Sequence, residues 1–158
     1  RSGEVVLEVC AESIESVIAA FEAGAGRVEI CADLAGGGTT PSIGFIGSAV
    51  KVARRVGGAV MVLIRPRVGD FCYSEDEIDV MERDVEAAVH AGVDGVVIGA
   101  LTPSGCVDED VVRRLCAKAK SVAVTFHRAI DVCSSIDDAV VVLRQFPNIT
   151  RILTSGGR

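Results

Sequence analysis

A chain of 158 residues, 49% hydrophobic and 24% charged, carries enough apolar material for one folded core and is not a disordered composition. Its net charge of −6 excludes a general nucleic-acid surface, which needs clustered lysine and arginine, although a local basic pocket stays open. No apolar run approaches the roughly 20 residues that span a bilayer, and the N-terminus lacks a charged segment followed by a long apolar one, so the expectation is a cytoplasmic or nuclear protein without membrane or nucleic-acid partners.

The first apolar run, Val5 to Cys10, predicts a strand ending in Glu8-Val9-Cys10, and a helix follows over Ser13 to Ala23. The second run, Arg27 to Ala32, repeats the acid-x-thiol pattern as Glu29-Ile30-Cys31, with Asp33 just beyond. The tract Gly36-Gly37-Gly38-Thr39-Thr40-Pro41-Ser42 then leads into a helix over Ser42 to Val56. It is neither a GxGxxG nor a Walker signature, and it reads as a tight loop through which the backbone passes close to its neighbours. The third strand, Val60 to Ile64, runs into Arg65-Pro66-Arg67-Val68-Gly69-Asp70-Phe71-Cys72-Tyr73, where Pro66 ends strand pairing.

The helix over Ser74 to Ala91 has the clearest signals. Ser74 and Glu77 form a capping box, Ile78, Met81, Val85, Ala88 and Val89 make an apolar stripe, and Gly92 ends it. A strand over Gly95 to Ala100, a helix over Asp108 to Ala119, a strand over Val122 to Phe126 and a helix over Ser134 to Arg144 follow. The last strand, Arg151 to Thr154, leads into Ser155-Gly156-Gly157.

Strand starts about 20 to 35 residues apart are the spacing of βα units, which implies a parallel sheet in an α/β fold and one domain over residues 1–158. A weak repeat supports this, with Ala23-Gly24-Ala25-Gly26-Arg27-Val28-Glu29-Ile30 echoing Ala91-Gly92-Val93-Asp94-Gly95-Val96-Val97-Ile98. A doubly wound sheet and a (βα) barrel both fit. Polar residues at alternate strand positions favour the barrel, of which about six units of the usual eight are present.

Chemistry-bearing residues gather at the C-terminal strand ends, where ligands bind in both parallel architectures. Within a strand, residues two apart share a face, so Glu8 with Cys10 and Glu29 with Cys31 place two carboxylates and two thiols together if the strands are neighbours. Six cysteines without a CxxC pair point to reduced thiols. Cys10 and Cys31 can offer linear coordination to a soft ion such as Cu(I), while the same pattern also reads as ordinary buried thiols. Zinc is disfavoured because His90 and His127 are the sole imidazoles, and His90 lies within a helix.

His127, beside Arg128 at a strand end, suits a general acid or base partnered by Glu8 or Glu29, and equally a structural role. Arg65, Arg67 and Arg128, with the loop Ser155, Gly156 and Gly157, are candidates to hold a phosphate or carboxylate. The structural alternative is that Glu8 and Glu29 pair with Arg65 or Arg67.

The segments Glu8-x-Cys10, Arg27-Val28-Glu29-Ile30-Cys31, Gly37-Gly38-x-Thr40-Pro41-Ser42, Ile64-Arg65-Pro66-Arg67-x-Gly69-Asp70-Phe71, Thr125-Phe126-His127-Arg128-Ala129 and Arg151-Ile152-Leu153-Thr154-Ser155-Gly156-Gly157 together resemble the CutC copper homeostasis family. The resemblance covers essentially the whole chain. It implies a TIM-like barrel, a cytosolic protein that handles copper, Cu(I) bound with Cys10 and Cys31 in the ligand positions, and association into homo-oligomers. Family members continue for about two more βα units, so the expectation is a shortened barrel with its sixth strand at an open edge. Two functions are therefore carried forward. The first is Cu(I) binding, and the alternative is an enzyme acting on a small anion, with arginines holding it and His127 and a glutamate moving a proton.

Overall fold

In a computed structural model that describes residues 5–157, six strands alternate with five α-helices. They are β1 (Glu8–Ala11), α1 (Ile14–Glu22), β2 (Arg27–Ile30), α2 (Ile43–Val56), β3 (Ala59–Leu63), α3 (Glu75–His90), β4 (Gly95–Ile98), α4 (Glu109–Ala119), β5 (Ala123–Phe126), α5 (Ile136–Leu143) and β6 (Ile149–Ile152). The sheet runs β1-β2-β3-β4-β5-β6 with every neighbouring pair parallel, as βα units dictate. This is an α/β fold with six units of a TIM-like barrel and an unclosed sheet.

Each helix begins on a side chain that accepts an otherwise orphaned backbone N–H: Ser13, Ser42, Ser74, Asp108 and Ser135. At α3 the expected capping box is complete, with Glu77 returning to the Ser74 N–H. The helices cover the outer face of the sheet. Val28, Ile30, Val60, Val62, Ile64, Val96, Ile98, Val124 and Phe126 point into that layer and are fully buried there. On the inner face Cys31, Met61, Leu63 and Val97 form a separate small apolar cluster. Alternation along the strands thus divides a helix-side core from a lumen that carries the polar groups.

Strand boundaries differ from the sequence expectation by one to three residues, and at β1 and β6 the cause is visible. β1 starts at Glu8 rather than Val5, because β2 begins only at Arg27 and the last carbonyl it reaches is that of Leu7. β6 covers Ile149–Ile152 rather than 151–154, because Thr154 and Ser155 leave the ladder to bond the Asp131 carboxylate.

Candidate functional site

The sheet curls enough that Glu8 and Cys10 on β1 share a cleft of about 260 Å³ with Thr125 on β5 and Arg151 on β6. The register sets Glu8 opposite Arg27 and Cys10 opposite Glu29. Cys31 lies one pleat further on, its N–H donating to the Ala11 carbonyl at 3.0 Å and its thiol directed at the same oxygen at 3.9 Å. The two acid-x-thiol segments therefore meet staggered by one pleat, so acid faces cation and thiol faces acid. Glu8 forms a close ion pair with Arg27. Among the described residues, neither Glu8 nor Glu29 pairs with Arg65 or Arg67.

Glu29 is only 6% exposed. Burial, and then the charge and hydrogen bond of Glu8, pushes its carboxyl up to about 7, against a smaller opposing pull from Arg27. Cys10 is exposed and Cys31 is buried. Burial, then Glu29 and Glu8, raises the Cys10 thiol to about 11; burial, then Cys10 and Glu29, raises Cys31 to about 12. Near pH 7 both sulfurs carry protons. The six cysteines are unbridged, and among the described residues no three His, Cys, Asp or Glu side chains converge on one metal position.

A second recess of about 80 Å³ lies where the ends of β2, β3 and β5 meet, lined by Glu29, Leu63, Arg65, Phe71, His127 and Arg128 among others. Arg65 is 6% exposed, yet its guanidinium has no carboxylate partner among the described residues. Its Nη1 donates to the Gly38 carbonyl at 3.0 Å and its Nη2 to the Gly69 carbonyl at 2.8 Å, while Nε has no partner. The charge sits 5.0 Å from the Phe71 ring centroid. Gly38 is required for this arrangement: it adopts φ +89°, and a Cβ there would meet Leu63 Cδ2 at 2.6 Å.

His127 is also buried, its ring 4.9 Å from that of Phe71. Its Nδ1 accepts the Ala129 N–H at 3.1 Å, so the neutral ring carries its proton on Nε2, which has no partner. Burial, reinforced by the nearby Arg65 charge, lowers the imidazole to about 3. Gly99 makes room for the ring, since a Cβ at that position would lie 2.3 Å from His127 Cε1.

The other candidates are placed elsewhere. Arg67 turns away from the recess, pairing with Glu77 and donating to the Cys72 carbonyl at 2.8 Å, and so ties its loop to α3. Arg128 reaches the rim, where Nε donates to Asp131 at 3.2 Å and Nη2 to Ser155 Oγ at 3.4 Å. Ser155, Gly156 and Gly157 do not line the recess. Ser155 is held to Asp131, which accepts both its N–H and its O–H at 2.9 Å as well as the Thr154 hydroxyl. Those hydrogen bonds, the Thr154 hydroxyl first, hold the Asp131 carboxyl well below the usual range. Sequence reasoning missed Asp131, Arg27 and Arg151. The signal for Asp131 was its spacing of three from Arg128 after a strand end.

The family model described as CutC matches residues 5–158. This chain belongs to the CutC family. The CutC family protein of Xylella fastidiosa (strain Temecula1 / ATCC 700964) is 49% identical over 156 residues, covering 96% of this chain and 55% of its own length. The chain therefore spans about half the length of that curated CutC relative. A crystal structure of CutC from Streptococcus agalactiae, a protein named for copper homeostasis, is 35% identical with a TM-score of 0.89, over 98% of this chain and 74% of that one. Dihydrodipicolinate synthase DapA-2 from Bacillus anthracis, 15% identical with a TM-score of 0.69 over 98% of this chain and 57% of its own, shares the barrel fold. The family and the barrel architecture expected from the CutC motifs are both found.

Proposed function

We propose that this CutC chain serves copper homeostasis by holding Cu(I) between Cys10 and Cys31. The observation that carries the reading is the placement of two unbridged thiols on neighbouring strands, Cys10 opposite Glu29 and Cys31 two residues beyond Glu29. Two sulfurs suffice for Cu(I), which accepts linear coordination and prefers thiolate to carboxylate. Cys31 sits against Met61, Leu63 and Val97, an apolar wall that keeps water from one side of a reduced ion. The name of the Streptococcus agalactiae relative supports the same direction.

Six unbridged cysteines fit a reducing compartment, and the cytoplasm is the location this reading assigns. No helix among the described residues is long and apolar enough to cross a membrane. Association into a homo-oligomer belongs to the same reading, and light scattering reads it directly. The deciding experiment is an anaerobic Cu(I) titration against a competing chelator, comparing the wild type with the double variant Cys10→Ser, Cys31→Ser. One equivalent bound by the wild type and none by the variant is expected. Equal uptake by both overturns the reading.

A further inference from the structure

We propose that the recess at the ends of β3 and β5 binds the oxyanion group of a small molecule, a carboxylate or a phosphate, through Arg65 and His127. This site adjoins the thiol cleft, with Glu29 lining both, but its donors are not the thiols and it does not depend on copper. Its argument starts from cost. A guanidinium removed from water without a carboxylate is one of the more expensive features a fold can keep. Arg65 is held in that state by design of the local chain: its N–H donates to Thr40 Oγ1 at 2.9 Å and its carbonyl accepts the Thr40 N–H at 2.9 Å, so the backbone cannot swing the charge out to solvent.

The second donor points to the same conclusion. His127 keeps an unpartnered Nε2–H in a buried setting, with its other nitrogen fixed by the Ala129 N–H and its ring lodged over Gly99. A water molecule can satisfy that N–H, but it leaves the Arg65 charge uncompensated. An oxyanion does both, accepting from a cation and from a neutral donor at once. The Gly38 and Gly69 carbonyls each take one N–H of Arg65, but they are neutral and leave the charge and the Nε–H unanswered. Glu29 also lines the recess; its carboxyl keeps its proton below about 7 and donates it to Glu8, so below that pH it does not neutralise Arg65. Phe71 and Leu63 supply apolar walls that exclude water and strengthen the charge contact.

The test uses the full chain at pH 6, where Glu29 is protonated and His127 neutral, with inorganic phosphate and acetate as the two probes and chloride at matched ionic strength as the blank. The Arg65 Nε–H and His127 ring signals are followed by NMR. At least one probe should move both signals saturably, with a Kd of about 1 mM or tighter, and the preferred probe identifies phosphate or carboxylate as the group recognised. Arg65→Met should weaken that Kd at least about tenfold, the loss of a charged hydrogen bond. Should Arg65→Met fail to fold, His127→Phe keeps an aromatic ring in place and should weaken binding about fivefold, the loss of a neutral one. Arg113→Gln, on the exposed face of α4, should bind as the wild type does. The proposal is overturned if neither anion moves the two signals more than chloride does, or if the folded variants at 65 and 127 bind as tightly as the wild type.

Discussion

Glu29→Gln keeps the shape of the buried side chain and removes its proton equilibrium. In the fold the carboxyl is raised to about 7, whereas its ordinary value is 4.5. Between those two values the folded chain binds a proton that the unfolded chain has released. Stability is therefore fully present below 4.5 and falls as the pH rises through about 7. At about 1.4 kcal/mol for each pH unit, the wild type should lose about 2.5 kcal/mol between pH 5 and pH 8 that Glu29→Gln does not. The cause is mainly burial, so added salt should change the difference little. Urea unfolding of both proteins across that range measures it, because groups that do not touch Glu29 titrate in both and cancel in the difference. Two curves that stay parallel within about 0.5 kcal/mol would refute the placement of Glu29 as a buried, proton-holding acid.

The buried imidazole makes the opposite prediction: His127 is lowered from 6.5 to about 3, so stability present above 6.5 is lost as the pH falls through that range, and His127→Gln should flatten the acid limb of the unfolding curve. An acid limb unchanged by the substitution counts against a neutral His127. Gly99→Ala should cost about 1–3 kcal/mol in thermal or urea unfolding, because its methyl group meets the His127 ring at 2.3 Å, and unaltered stability contradicts that contact. Asp131→Asn should speed amide exchange at Ser155, whose N–H it accepts; wild-type protection in the variant shows the loop is held some other way. Binding of Cu(I) should release two protons, since both thiols are protonated near pH 7, and apparent affinity should rise about a hundredfold per pH unit. Uptake without proton release would remove Cys10 and Cys31 as the ligands.

The fold was legible because its signals are local. The Ser74 and Glu77 pair, the stripe from Ile78 to Val89 and Gly92 each depend on neighbours within a turn or two, and α3 falls where they place it. Spacing of strand starts gave parallel order for the same reason, since a short βα unit leaves few alternatives. The ends of β1 and β6 were not legible, because an edge strand stops where its partner stops or where a distant side chain such as Asp131 removes it. Arg65 and Arg67 show the same limit within the site. Two residues apart in a strand they would share a face, but Pro66 takes them out of the ladder, and one guanidinium enters the recess while the other binds Glu77.

The repeated acid-x-thiol pattern fixes which face each residue occupies, but a period of two carries no information about the offset between strands. Had the segments paired in register, Glu8 would stand opposite Glu29 and Cys10 opposite Cys31, with two acids side by side at the edge of a low-dielectric lumen. The observed stagger sets Arg27 against Glu8, moves Glu29 opposite Cys10 and sends Cys31 alone into the apolar cluster of Met61, Leu63 and Val97. That offset relieves the acid pair by supplying one of them with a cation. It also separates the environments of the two thiols, one exposed at the lumen and one buried. The placement of these four side chains rests on a slip of one pleat, in which Arg27, a residue outside the pattern, becomes the partner of Glu8.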